Sequence, residues 1–88
     1  MQFDYAEKHA SDSLQAAYFR GALADQRAIV AAEILRQTRK LNGMSTRTDA
    51  LAISRLRRDI RANDTELRDL DRMIAALDRR FAAIWSNQ

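Results

Sequence analysis

The second half of the chain repeats a large apolar residue at alternating intervals of three and four. Nine of ten successive positions follow this rule, and the tenth is Asn63. An average spacing of 3.5 residues keeps one row of side chains, here called the seam, turned toward a partner helix. We therefore predict a long helix in a coiled coil or helical bundle. Its seam comprises Ile53, Leu56, Ile60, Asn63, Leu67, Leu70, Ile74, Leu77, Phe81 and Ile84.

The composition favours long helices and excludes several other classes of protein. Proline is absent, and only two glycines occur in 88 residues, so few helix breaks are expected. Without cysteine, neither a disulfide framework nor a thiolate metal site can form. No apolar run approaches the roughly 20 residues that cross a bilayer, and the N-terminus lacks the pattern of a signal peptide. We expect a small cytoplasmic domain.

The strongest interruption of the helical pattern lies at residues 41–46. Asn42 or Gly43 can adopt the left-handed conformation that ends a helix. Thr46 and Asp49, three residues apart, have the spacing of a capping box that opens the next helix. We predict one domain over residues 1–88: helix 1 over about 5–41, a turn at 42–46 and helix 2 over about 47–86. The two helices form an antiparallel hairpin. Alternatively, residues 5–13 form a separate short helix.

Helix 1 carries two apolar stripes, although one neighbour requires only one stripe. The first stripe comprises Phe19, Leu23, Val30, Ile34 and Leu41. The second is mostly small and comprises Leu14, Ala17, Gly21, Ala24, Ala28, Ala31 and Leu35. A second stripe without a partner predicts self-association, most simply as a dimer that forms a four-helix bundle. We expect Leu23, Val30 and Ile34 to join the helix 2 seam, from Ile53 to Leu77, as the oligomer seam.

Asn63 is the only polar residue on the helix 2 seam. A single polar residue at such a position can select the register and the oligomeric state of a coiled coil, at some cost in stability. The alternative is an asparagine that faces water in a loosely packed bundle. The sequence leaves both interpretations open.

Charge is distributed unevenly along helix 2. Residues 47–61 carry five arginines against two aspartates, whereas residues 62–78 carry five acids against two arginines. Folding at Gly43 would add the basic end of helix 1 to the basic block. The resulting basic tip could bind an acidic protein or phosphates, or could simply be a solvated face. Its residues are Arg36, Arg39, Lys40, Arg47, Arg55, Arg57 and Arg58.

The aromatic residues are expected at the opposite, open end of the hairpin. Packing within the core is one interpretation of this grouping. The other is an aromatic patch of Phe19, Phe81 and Trp85, because exposed aromatic side chains often anchor protein interfaces.

Nothing in the sequence indicates catalysis. His9 is the only histidine, no Glu-x-x-His pair suits a di-iron bundle, and glycine-rich phosphate loops are absent. We therefore expect no enzymatic activity, no cofactor and no metal. The expected function is a protein–protein interaction module that works as a homo-oligomer: an adaptor, a chaperone-like subunit or an inhibitor of a larger bacterial or phage machine. We expect it to bind a second copy of itself and an unidentified protein, and we expect no association with a membrane. The alternative is a small nucleic-acid-binding regulator that uses the basic tip.

Overall fold

A computed structural model describes the backbone of residues 2–86 and the side chains of residues 11–86. It contains two helices, α1 (Gln2–Asn42) and α2 (Ala50–Ser86), which pack against each other along an elongated shape of 71 × 19 × 15 Å. This confirms the predicted all-helical, two-helix hairpin. α1 runs without a break through residues 5–13. Neither helix, over the described residues, has an apolar stretch long enough to cross a membrane. The side chain of His9 lies outside the described part.

α1 ends through short backbone hydrogen bonds rather than a left-handed residue. The Gly43 amide donates to the Lys40 carbonyl at 3.2 Å, and the Met44 amide donates to the Leu41 carbonyl at 3.1 Å. These bonds span three residues, which tightens the last turn of a helix and satisfies its free carbonyls. No described residue has a positive φ. The predicted left-handed closure at Asn42 or Gly43 is therefore wrong.

α2 begins at Ala50, three residues later than expected, because Asp49 caps it. The Ile53 amide donates to the Asp49 carbonyl at 2.8 Å, which is the first helical hydrogen bond. The Asp49 carboxylate accepts from the Ser45 amide at 3.0 Å, while the Asp49 amide donates to the Ser45 carbonyl at 2.9 Å. The reciprocal pair is thus Ser45 with Asp49, and the predicted pairing of Thr46 with Asp49 is wrong.

The helices meet along one seam from each. On α2 every predicted seam position from Ile53 to Ile84 is buried or half-buried. On α1 the buried and half-buried positions include a row at intervals of three and four, interrupted only between Leu23 and Val30, where Arg27 is exposed. The row comprises Ser13, Ala16, Arg20, Leu23, Val30, Ile34, Gln37 and Leu41, and Met44 continues it in the turn. The central core is formed by Leu23, Val30, Ile34, Leu67, Leu70, Ile74 and Leu77. The residues expected in an oligomer seam therefore pack between two helices of the same chain.

Phe19 does not belong to the face of α1 that packs on α2. It is 51% exposed, and Arg20 occupies the position next to the core instead. Counting back from Leu23 by three residues reaches position 20, because a supercoiled pair has a period of 3.5 residues rather than 3.6. In a helical projection at 100° per residue this difference accumulates along the helix. Residues far from the centre of the stripe are therefore assigned to the wrong face. The α1 seam consequently contains polar side chains that an apolar stripe does not reveal.

Candidate interaction surfaces

Asn63 is paired across the hairpin with a buried glutamine. Its Nδ2 donates to Oε1 of Gln37 at 3.0 Å, and Gln37 is only 8% exposed. Buried amides without a partner are costly, so the two residues depend on each other. The polar residue in the seam therefore forms an amide contact that pairs position 63 of α2 with position 37 of α1 in the same chain. The apolar pattern does not reveal Gln37, although this residue lies three residues beyond Ile34 in the seam spacing.

Two ion pairs join the helices on the same side of the seam. Arg20 makes a bidentate contact with Asp78, in which Nη2 and Oδ2 are 3.0 Å apart. One heptad away, Arg27 binds Asp71. Hydrogen bonds from Arg20 lower the pKa of the Asp78 carboxyl and raise the pKa of the Arg20 guanidinium. The acids that looked like a block of negative charge in the sequence thus include two that are neutralised by α1.

The basic tip lies fully on the surface. All seven of its cations are exposed. Arg36 forms an ion pair with Glu33 one turn earlier in α1, and its hydrogen bonds lower the pKa of the Glu33 carboxyl. Among the described side chains, the other six tip cations form no ion pair within 4 Å. The tip can therefore offer several guanidinium groups to carboxylates or phosphates without first breaking internal contacts.

A small open cleft lies beside the turn, between the end of α1 and the start of α2. Its volume is about 210 Å³. Lys40, Arg55 and Asp59 contribute charged groups to it, while Met44, Ala52 and Leu56 contribute apolar surface. A cation next to an apolar surface can bind a carboxylate together with a neighbouring apolar group. The cleft has the size of a contact for one side chain rather than of an enzyme pocket.

The three residues of the aromatic patch have different environments. Phe81 is buried in the seam, and its ring stacks on that of Trp85 with centroids 5.8 Å apart. The Trp85 indole Nε1 donates to the Ser13 carbonyl at 3.2 Å, which ties the end of α2 to α1. Phe19 alone is exposed. Phe81 and Trp85 therefore hold the open end of the hairpin together, and only Phe19 is available to a partner.

The second stripe of α1 faces away from α2 along most of its length. We call it the outer stripe: Leu14, Ala17, Gly21, Ala24, Ala28, Ala31 and Leu35. Leu14 and Leu35, at its two ends, are 66% and 54% exposed. A shallow groove of about 290 Å³ lies beside its centre, lined by Ala17, Tyr18, Gly21, Ala22 and Asp25. Apart from its chain neighbours and the adjacent backbone of α1, no atom lies within 4 Å of the point where a Cβ on Gly21 would stand, so the stripe is open at this position within one chain.

No group of three or more His, Cys, Asp or Glu side chains is placed to hold a metal ion within the part of the chain that the structure describes. No known protein family, curated protein or solved structure matches the chain.

Proposed function

We propose that this protein is a non-enzymatic interaction module that works as a helical homo-oligomer and binds another protein through its basic tip. The observation that carries the proposal is the apolar surface of α1 that α2 leaves uncovered. Leu14, Ile29 and Leu35 are all more exposed than buried. Large apolar side chains left exposed on one helix can mark a protein–protein contact. Such a module would serve in the cytoplasm as an adaptor, a chaperone-like subunit or an inhibitor of a larger bacterial or phage machine.

The placement of the tip supports its role as the contact for the second protein. It lies at the turn, at the end of the hairpin opposite Phe81 and Trp85, and its arginines do not contribute to the core. Phe81 and Trp85 have structural contacts of their own, which weakens the case for the aromatic patch. Several exposed arginines together accelerate and orient binding to an acidic surface, although each contributes little to folding.

A second candidate function is nucleic-acid binding by the same tip. Seven exposed cations at one end of the molecule are the observation that favours it. No aromatic residue lies among them, and none of the described aromatic side chains belongs to the tip, so base stacking on a single strand has no support. Contacts to the phosphates of a duplex would be the remaining mode, and they would depend strongly on salt concentration.

The charge-reversed variant Arg55→Glu, Arg57→Glu, Arg58→Glu separates these functions. Wild-type protein and the variant are used as matched baits in an extract of the native host, and retained proteins are identified by mass spectrometry. We expect a specific protein partner on the wild type and its loss on the variant, while circular dichroism and sedimentation stay unchanged. The control is Arg68→Glu, Arg79→Glu, which reverses exposed charge on α2 outside the tip.

Fluorescence anisotropy with duplex DNA and duplex RNA over a range of salt concentrations tests the second function. Salt-dependent binding that the triple reversal abolishes would favour the nucleic-acid regulator over the protein partner. A partner that remains bound to the triple variant would place the contact elsewhere, with Phe19 as the next residue to truncate. Loss of folding or of the oligomer in the variant would assign these arginines to the assembly itself.

A further inference from the structure

The hairpin exposes more surface than a folded monomer of its mass normally does. Its accessible surface is 6948 Å². Monomeric globular proteins of 10.1 kDa expose about 5,300 Å². The excess, about 1,600 Å², is roughly twice the area that one partner contributes to a standard interface. The elongated hairpin therefore leaves more surface uncovered than one partner contributes to a standard dimer interface.

The outer stripe has the symmetry that a contact between two identical chains requires. A two-fold interface brings the same surface of both subunits together, so that surface must complement itself. The stripe has a leucine at each end and five residues no larger than alanine between them, and it therefore has the same size profile in both directions. Two antiparallel copies would have their small residues at the crossing point, where the helices could approach closely, and their leucines at the ends.

Charge favours the antiparallel orientation of the two copies over the parallel one. A parallel dimer would place two basic tips side by side, and like charges at close range oppose association. In an antiparallel dimer centred near Ala24, each tip lies beside the start of α1 of the other copy. With a rise of 1.5 Å per residue, the two turns would lie about 60 Å apart.

We infer that the outer stripe of α1 is the docking surface for a second copy of this chain. The two copies pack antiparallel about a two-fold axis near Ala24, and the dimer presents its basic tips at opposite ends. This inference rests on the proposed self-association and adds its surface, its orientation and a bivalent arrangement of the tips. Bivalent attachment would strengthen binding to a partner that displays repeated acidic sites at matching separation.

The variant Gly21→Leu tests the surface. The open space at Gly21 lets one chain accept a leucine, whereas a second helix packed closely against it would be forced away. The matched control is Ala22→Leu, which adds a leucine at the neighbouring exposed position, turned away from the stripe by about 100°. Sedimentation equilibrium should give a wild-type dimer, an unchanged Ala22→Leu dimer, and at least tenfold weaker association for Gly21→Leu with its helicity retained.

The outcomes separate this inference from the proposed function. A wild-type monomer would overturn self-association and the inference together. A Gly21→Leu protein that dimerises as strongly as the wild type, or equal weakening by both variants, would overturn the outer stripe and leave self-association standing.

A second measurement tests the orientation without disturbing the stripe. The chain has no cysteine, so Arg39→Cys gives a single site for a spin label on the exposed end of α1. In the antiparallel dimer, the two labels should be separated by about 45 Å along the helix axes. A separation of about 20 Å or less would indicate a parallel dimer and would overturn the inference.

Discussion

At the scale of single residues, the contact between Gln37 and Asn63 is the most specific polar feature of the hairpin. It lies in a seam that is otherwise apolar on the α2 side, so an offset between the helices would separate the two amides and leave each facing apolar side chains. The free-energy cost of two unpaired buried amides disfavours other registers of the helices, even those in which equivalent apolar contacts form. The pair therefore contributes more to a unique register than to stability itself.

Replacing one member of this pair should cost more than replacing both. We expect Gln37→Leu to lower the free energy of unfolding by about 1–3 kcal/mol, because the Asn63 amide loses its buried partner. The double variant Gln37→Leu, Asn63→Leu should recover most of that loss, since two apolar side chains can pack in the same space. Denaturant unfolding of the wild type, both single variants and the double variant measures the coupling directly. Additive effects would show that the amides act independently.

At the scale of the elements, ion pairs attach α1 to α2 beside the apolar core. Arg20 and Arg27 are separated by seven residues, as are Asp71 and Asp78, so both pairs form in a single antiparallel register. Their side chains are partly exposed, which limits what each contributes to stability because water and salt screen them. Their arrangement adds to the discrimination between registers, since an offset of half a heptad would separate both pairs.

The pair of Arg20 and Asp78 should make the hairpin sensitive to acid. The pKa of Asp78 in the folded protein lies below its ordinary value of 3.8, so its contribution to stability is complete above that value. It is lost as the pH falls through the lowered pKa. We expect the melting temperature to decrease as the pH is lowered from about 5 toward 2. Asp78→Asn should be less stable near neutral pH and should show a smaller decrease in acid.

The matched control for acid sensitivity is Asp59→Asn. Asp59 is exposed and makes no side-chain hydrogen bond among the described residues. It should therefore keep the acid-induced decrease of the wild type. Equal pH profiles for the wild type and Asp78→Asn, measured by circular dichroism, would contradict a stabilising role of the ion pair.

At the scale of the whole molecule, the thinness of the hairpin limits its stability as a monomer. Two helices alone enclose little volume, and in the described part of the chain no side chain is less than 2% exposed. Small domains with so little fully buried surface usually need an additional source of stability, such as a second subunit. Self-association would supply this by covering α1 on the side that α2 leaves open.

Coupling between association and folding predicts a melting temperature that depends on protein concentration. Mass action favours the dimer at high concentration, so the wild type should melt at higher temperature as its concentration is raised over a roughly hundredfold range. Gly21→Leu should melt at a lower temperature than the wild type at each concentration, because its association is weakened. Thermal melts followed by circular dichroism measure both. A wild-type melting temperature that is independent of concentration would indicate a hairpin that folds alone.

The sequence by itself determined the pair of helices and the α2 seam. Apolar residues at a period of 3.5, with no proline and a break near Gly43, permit little else, because only a helix gives those side chains a common face. The basic tip was also predictable, since its residues flank the turn on both sides. These features depend on the spacing of residues close together in the chain, which the sequence gives directly.

The tertiary structure decided which α1 residues face α2. The α1 seam mixes Ser13, Arg20 and Gln37 with apolar residues, so hydrophobicity alone favoured Phe19 over its neighbour. Arg20 and Gln37 become favourable there only because Asp78 and Asn63 lie opposite them. The energy of a polar side chain in an interface depends on a partner that is distant in sequence, and docking of the second helix is what supplies that partner.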